Sequence, residues 1–288
     1  MESVVAALWN SLELGVLLFL IAVGLNIIFG VLNIINFAHG ALYMLGAYAA
    51  FTLTGLLGLP FWIALIAGPL LVAVLAAVVE RVMLHNIYDR PITDTLLLTF
   101  ALLLIIDEAV KWVWGTGIHI VEPPEILAGT FSLLGTQQSV YSLFVLAVGI
   151  VVGGGLWLFF TRTLAGKVMR AAASDRKMSR LVGINVPLVF TAVFALGAGI
   201  AALGGVIAAP IRAISPGMGS NIIVESFIVV VIGGLGSFPG AFLGAIVLGA
   251  IHGFGSRFLP ELNIVLPFIG MAVVLLLKPQ GLMGRSAI

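Results

Sequence analysis

Apolar runs of about 18–25 residues, almost free of charge, recur along this chain and limit its fold more sharply than any other feature. A run of that length, wound as a helix, spans the ~30 Å hydrocarbon core of a bilayer. Of the 288 residues, 61% are hydrophobic and only 9% charged, more apolar surface than a water-soluble chain can hide. Strands of a lipid-facing barrel would alternate polar and apolar side chains, and these runs do not. The expectation is an all-α, polytopic membrane protein of about eight transmembrane segments, some broken or re-entrant.

The runs lie near Leu12–Phe29, Ala41–Leu57, Phe61–Val79, Thr95–Trp114, Val140–Phe160, Pro187–Ala209, Glu225–Phe254 and Ile264–Leu277. Trp9, Trp62, Trp112, Trp114 and Trp157 sit near their ends, where aromatic rings anchor at the lipid–water boundary. No basic stretch precedes the first run and no small-residue cleavage site follows it, so no removable leader is expected. Cysteine is absent, which excludes disulfides, thiol nucleophiles and thiolate metal sites.

Charge placement sets the orientation. Six of the thirteen Lys and Arg residues fall between Thr161 and Val186. Arg81 and Arg90 follow the third run, and Lys278 and Arg285 follow the last. The stretch before Leu12 and the linker Gly115–Ser139 hold none. Basic loops inside put the N-terminus outside. Eight simple crossings would strand Lys278 outside, and a break at Ile232–Gly240, with four glycines and Pro239, offers the remedy. It divides its segment into pieces of about eleven and fifteen residues, each short of a full span. A re-entrant or broken pair, or two tilted crossings, returns the C-terminus to the cytoplasm. A second break lies at Asn33–Gly40, and paired interruptions in two halves are a pointer to a transport path.

Several polar constellations remain. Arg170–Val182 has Met178, Leu181 and Val182 at helical spacing, with Gly183 placed as a terminator, and reads as a short amphipathic helix on the cytoplasmic face. Anionic lipid or a docked protein fits that pattern equally. Asn33, Asn36 and His39 are the densest polar set at membrane depth. They line a path or gate, or they satisfy backbone freed by the break, and the second role is the more economical. Asp107 and Glu108 stand four and three residues before Lys111, a structural ion pair near the boundary or a contact for a docking protein; Glu225, opening its segment, has the same ambiguity. Gly149/Gly153, Gly240/Gly244 and Gly249/Gly253 give spacings for close helix approach. No Gly-x-x-x-x-Gly-Lys-Ser/Thr loop occurs, so any ATP coupling comes from another subunit. Four scattered histidines make no metal site, nothing forms a catalytic pair, and no surface suits nucleic acid.

Four motifs, in order along nearly the whole chain, resemble the permeases of Liv-type branched-chain amino acid ABC importers. They are Gly24-Leu25-Asn26 with Phe29-Gly30 and Ile35-Asn36-Phe37-Ala38-His39-Gly40; Leu181 to Asn185; Ile232 to Ala241; and Lys278 to Leu282. The resemblance implies one transmembrane permease domain over residues 1–288, type II importer-like, multi-pass in the cytoplasmic (inner) membrane. It carries no cofactor; ATP is bound by partners. The implied partners are two ATP-binding cassette subunits, a second related permease, an extracytoplasmic substrate-binding protein and membrane lipid. In residues 161–186 the coupling contact falls on Arg170, Ala172, Asp175, Met178, Leu181 and Gly183, and here docking outweighs lipid. The substrate path or gate falls on Asn33, Asn36, His39 and Gly40, with Gly233, Gly234, Gly236 and Ser237 of the second break. The function implied is ATP-driven import of branched-chain or related small amino acids, without an ATPase of its own. Amides or urea are alternative substrates in the same family. An ion-coupled secondary transporter is a rival, disfavoured because no segment centre carries a carboxylate. An intramembrane enzyme is a second rival, and it has no nucleophile–base pair to support it.

Overall fold

A computed structural model describes residues 2–88 and 90–284. Arg285 lies outside the described residues. The helices are α1 Glu2–Leu32, α2 His39–Phe51 with a π-turn over Thr52–Leu56, α3 Phe61–Val82 and α4 Ile92–Trp114. After them come α5 Val140–Arg162, α6 Leu164–Ser174, α7 Arg176–Leu181, α8 Val186–Ala208, α9 Met218–Gly233, α10 Phe238–Phe258 and α11 Leu266–Leu277. The protein is an all-α polytopic membrane protein, and α1, α3, α5, α8 and α10 are each long and apolar enough to cross a bilayer. One small hairpin interrupts the α4–α5 linker. There β1 Thr130–Leu133 pairs antiparallel with β2 Thr136–Ser139, and Leu134 and Gly135 turn it with positive φ.

Helix α1 is apolar on every face and from Leu17 to Ile28 is accordingly buried on every face, with Leu18, Leu20, Ile21, Ala22, Val23 and Ile28 fully enclosed. Helices α8 and α10 pack antiparallel against it. A Cβ on Gly24 would meet Gly197, and Gly249 and Gly253 lie against Ser11. Helix α5 runs parallel to α1, its Gly149 and Gly153 receiving Val16 and Phe19. The outer helices turn unpaired apolar rows outward, as lipid-facing surfaces do: Ile66, Leu70 and Val74 on α3, Leu104 on α4, Ile150 on α5.

Helices α6 and α7, the α9–α10 turn and the segment after α11 gather at one end, where Arg170, Ser237 and Met283 line a shared cleft. Lys278, which caps α11, belongs to this basic end. The start of α1, the β-hairpin and the α10–α11 connection occupy the far end, where Glu2 approaches Gly135 and Asn263 approaches Gly255.

The break at Ile232–Gly240 is real, but its halves are longer than the composition suggests: 16 residues in α9 and 21 in α10. Helix α9 begins seven residues before Glu225, because Gly217 at φ 84° turns the chain and Asp107 Oδ1 accepts its N–H at 2.6 Å. Glu225 therefore sits inside α9 and does not open it. The amphipathic stretch Arg170–Val182 also differs from the single helix expected. Asp175 is extended (φ −148°, ψ 104°) and its carboxylate accepts the Met178 N–H at 2.9 Å, ending α6 and capping α7. Gly183, at φ 87°, does terminate α7.

Candidate functional site

The first break places a helix end inside the bundle. From Leu32 at the basic end, residues 33–38 run without regular structure back alongside α1, and α2 starts at His39. His39 is wholly enclosed and its Nε2 lies 3.0 Å from the Ile21 carbonyl, eleven residues before the end of α1. A carbonyl only accepts, so the ring proton sits on Nε2 and Nδ1 is left bare and without a partner. Asn36 is also fully enclosed, and neither amide atom finds a hydrogen bond among the described residues. Asn33 instead lies exposed at the basic end, in the left-handed region at φ 56°.

Two helix starts meet at this depth. A Cβ on Gly40 would run into the Gly219 carbonyl, and one on Gly219 into Gly40. Only hydrogen on both α-carbons lets α2 and α9 approach so closely. Asp107, which accepts at the start of α9, is held by Lys111 at 3.0 Å, and Lys111 also reaches Glu108 at 2.7 Å. The expected ion pair thus forms, and it buttresses a helix start.

The second break is a tight turn at the basic end, held by α1 five residues beyond the Ile21 carbonyl that His39 meets. Gly234 and Gly236 adopt φ 106° and 74°. Asn26 of α1 clamps the turn, accepting from Gly236 N at 2.7 Å and donating to Ser237 O at 2.8 Å. Ser237 Oγ accepts from Gly240 N and caps α10. Gly233 lies against the Gly240 backbone. The eight residues of the two breaks thus form two separate places.

On α7 and just after it, Met178, Leu181 and Val182 are 57%, 81% and 67% exposed, an apolar surface that no described residue covers. Arg170, Asp175 and Gly183 are exposed beside it, whereas Ala172 is buried and seats α6 on the bundle. Arg176, which the sequence left among the other cations, ties this surface down. Its guanidinium donates to the Leu32 carbonyl at 2.6 Å and stacks 4.8 Å over the Phe190 ring of α8. Next to it, Glu80 of α3 is fully buried and accepts from Tyr88 Oη and Thr191 Oγ1, both at 2.6 Å. Burial and that carboxylate push the Tyr88 hydroxyl far above the ordinary tyrosine pKa. The sequence signal for Glu80 was faint, a lone acid before Arg81 at a helix end.

The far end holds a cavity of about 880 Å³ between α1, α9, α10 and α11. Glu13, Arg212, Glu225 and His252 face it, with Leu17 and Ile228 among its apolar walls. Glu13 Oε2 accepts from Ser142 Oγ at 2.9 Å, and His252 Nε2 stands 3.9 Å from Glu225 Oε1.

Comparison with known proteins agrees with this architecture. Residues 7–276 match the family described as "Branched-chain amino acid transport system / permease component". The high-affinity branched-chain amino acid transport system permease protein BraD of Pseudomonas aeruginosa is 32% identical, covering 97% of this chain and 95% of its own. The corresponding LivH of Escherichia coli K12 is 29% identical over 98% and 96%. A probable LivH of Methanocaldococcus jannaschii is 27% identical over 93% and 89%. No solved structure matches.

Proposed function

The chain belongs to the branched-chain amino acid transport permease family, and on that premise we propose that it is the translocating subunit of an ATP-driven importer of branched-chain amino acids. The whole chain acts as one permease domain. Its basic end faces the cytoplasm and its far end the outside, by the bias of Lys and Arg toward the inner side. The N-terminus is then external and the C-terminus cytoplasmic. Two ATP-binding subunits supply the energy, a related permease completes the path, and an external binding protein delivers substrate.

The observation that carries this reading is the exposed surface of α6 and α7 and its attachment by Arg176. Met178, Leu181 and Val182 offer an apolar centre, and Arg170, Lys177 and Arg180 a charged rim, the anatomy of a protein docking face. Displacement of α7 is transmitted directly, because one guanidinium holds both the end of α1 and the Phe190 face of α8. Asn36, His39 and Gly40 lie where the path crosses mid-membrane. The turn of Gly233, Gly234, Gly236 and Ser237, together with Asn33, forms its cytoplasmic exit.

The test uses the reconstituted complex. Leu181→Glu is expected to release the ATP-binding subunits during purification and to abolish uptake. Gly183→Val, strained at φ 87°, is expected to retain the subunits but uncouple ATP hydrolysis from transport. Normal subunit retention and uptake in both variants would remove the coupling assignment.

A further inference from the structure

We propose that the far-end cavity is a binding site for the zwitterionic head of a free amino acid, so that this chain itself selects for a paired ammonium and carboxylate. The inference rests on the transport reading above and adds to it a second point of selection, beyond the binding protein.

Its walls carry both charges on separate elements. Arg212 follows α8, Glu13 belongs to α1 and Glu225 to α9, and all three face one open space of about 880 Å³. That volume is within the ~300–1,000 Å³ of ordinary small-molecule sites. Buried or half-buried charges are normally paired with each other at close range, and here, among the described residues, the acids have no closer charged neighbour than His252, 3.9 Å from Glu225. Among the described residues Arg212 has no ion-pair partner, although Glu13 and Glu225 line the same cavity. Glu225 Oε2, His252 Nε2 and Asn263 Oδ1 are enclosed without any hydrogen bond among the described residues. Nor do the acids cancel one another by sharing a partner: Glu13 spends one oxygen on Ser142, and Glu225 reaches only His252, at 3.9 Å. An open space walled by a guanidinium that has no ion-pair partner among the described residues, and by two carboxylates on other elements, suits a ligand that brings both signs. A planar guanidinium takes a carboxylate through two parallel N–H donors, and a carboxylate takes an ammonium. Leu14, Leu17, Val224 and Ile228 then form the bed for an aliphatic side chain. Neutral amides and urea satisfy neither charge.

The assembled complex, without binding protein or nucleotide, is titrated with radiolabelled leucine, leucinamide and 4-methylpentanoate. Saturable leucine binding is expected, with leucinamide (no carboxylate) and 4-methylpentanoate (no ammonium) each at least about tenfold weaker. Arg212→Gln is expected to weaken leucine about 10- to 100-fold and leave leucinamide unchanged. Glu225→Gln is expected to weaken leucine comparably and leave 4-methylpentanoate unchanged. Co-purification of the ATP-binding subunits checks that each variant has folded. Leucine binding that survives both substitutions, or that does not discriminate the two analogues, overturns the site. So does a wild-type complex that imports leucine with its binding protein yet shows no saturable leucine binding without it; the transport reading then stands alone. A wild-type complex that imports only amides or urea instead removes the transport reading itself.

Discussion

The two breaks in the chain look alike as sequence, each ending in Gly-Ala at residues 40–41 and 240–241, yet they do different physical work. The turn between α9 and α10 is closed: its left-handed positions are glycine, and Asn26 and Ser237 satisfy its backbone donors. The return between α1 and α2 is open. It leaves Asn36 and His39 Nδ1 buried with unmet hydrogen-bonding capacity and puts a helix start at mid-depth. Polar groups left unsatisfied in lipid-embedded protein cost about 1–3 kcal/mol each, so a place that keeps them does not serve stability. The closed break is expected to frame the proposed exit as a fixed rim, and the open one is where transport chemistry and motion are expected.

This contrast can be tested at four positions. Gly40→Leu drives a side chain into the Gly219 backbone, and a loss of more than about 3 kcal/mol is expected. It would be read as failure to recover monodisperse protein. Normal recovery would mean that the starts of α2 and α9 do not touch. Asn26→Leu removes both clamp bonds and orphans Gly236 N, for a loss of about 2–4 kcal/mol in thermal unfolding in detergent. Gly236→Ala, at φ 74°, is expected to cost about 1–2 kcal/mol by the same measurement. Asn36→Leu, nearly isosteric, removes an amide that has no partner, so stability should stay within about 1 kcal/mol of the parent. Leucine uptake by the reconstituted complex should nevertheless fall. If Asn36→Leu lowered stability as much as Asn26→Leu, the distinction between the breaks would be lost.

Much of this was legible in the residues. Continuous apolar runs gave the class and the places of the helices, although among the described residues five and not eight are long and apolar enough to cross a bilayer; glycines and Pro239 gave one interruption, the polar stretch ending at Gly40 the other, and Gly183 marked the end of the exposed helix. The ion pair at Lys111 followed from spacing alone. What was hidden depends on neighbours distant in the chain. Glu80 reads as a boundary acid until Tyr88 and Thr191 close over it, and no local pattern reports that enclosure. Arg176 is one of six cations in a row until a carbonyl 144 residues earlier singles it out. Glu225 was misplaced because the start of α9 is fixed by Asp107, 110 residues before Gly217, and not by hydropathy. Asp175 carried a usable signal: an acid three residues before Met178 is a helix cap, and it divided one expected helix into two.

Helix α1 is one uninterrupted rod of 31 residues, about 46 Å long. Arg176 grips its basic-end tip at Leu32, while Glu13, about 28 Å along the helix, stands in the wall of the far-end cavity. Pivoted at Leu32, a stiff lever of that length turns a tilt of about 5° into a sideways swing of about 2–3 Å at Glu13. On the proposed coupling, pulling on α7 would therefore reshape the far-end cavity without any relay of small rearrangements between them.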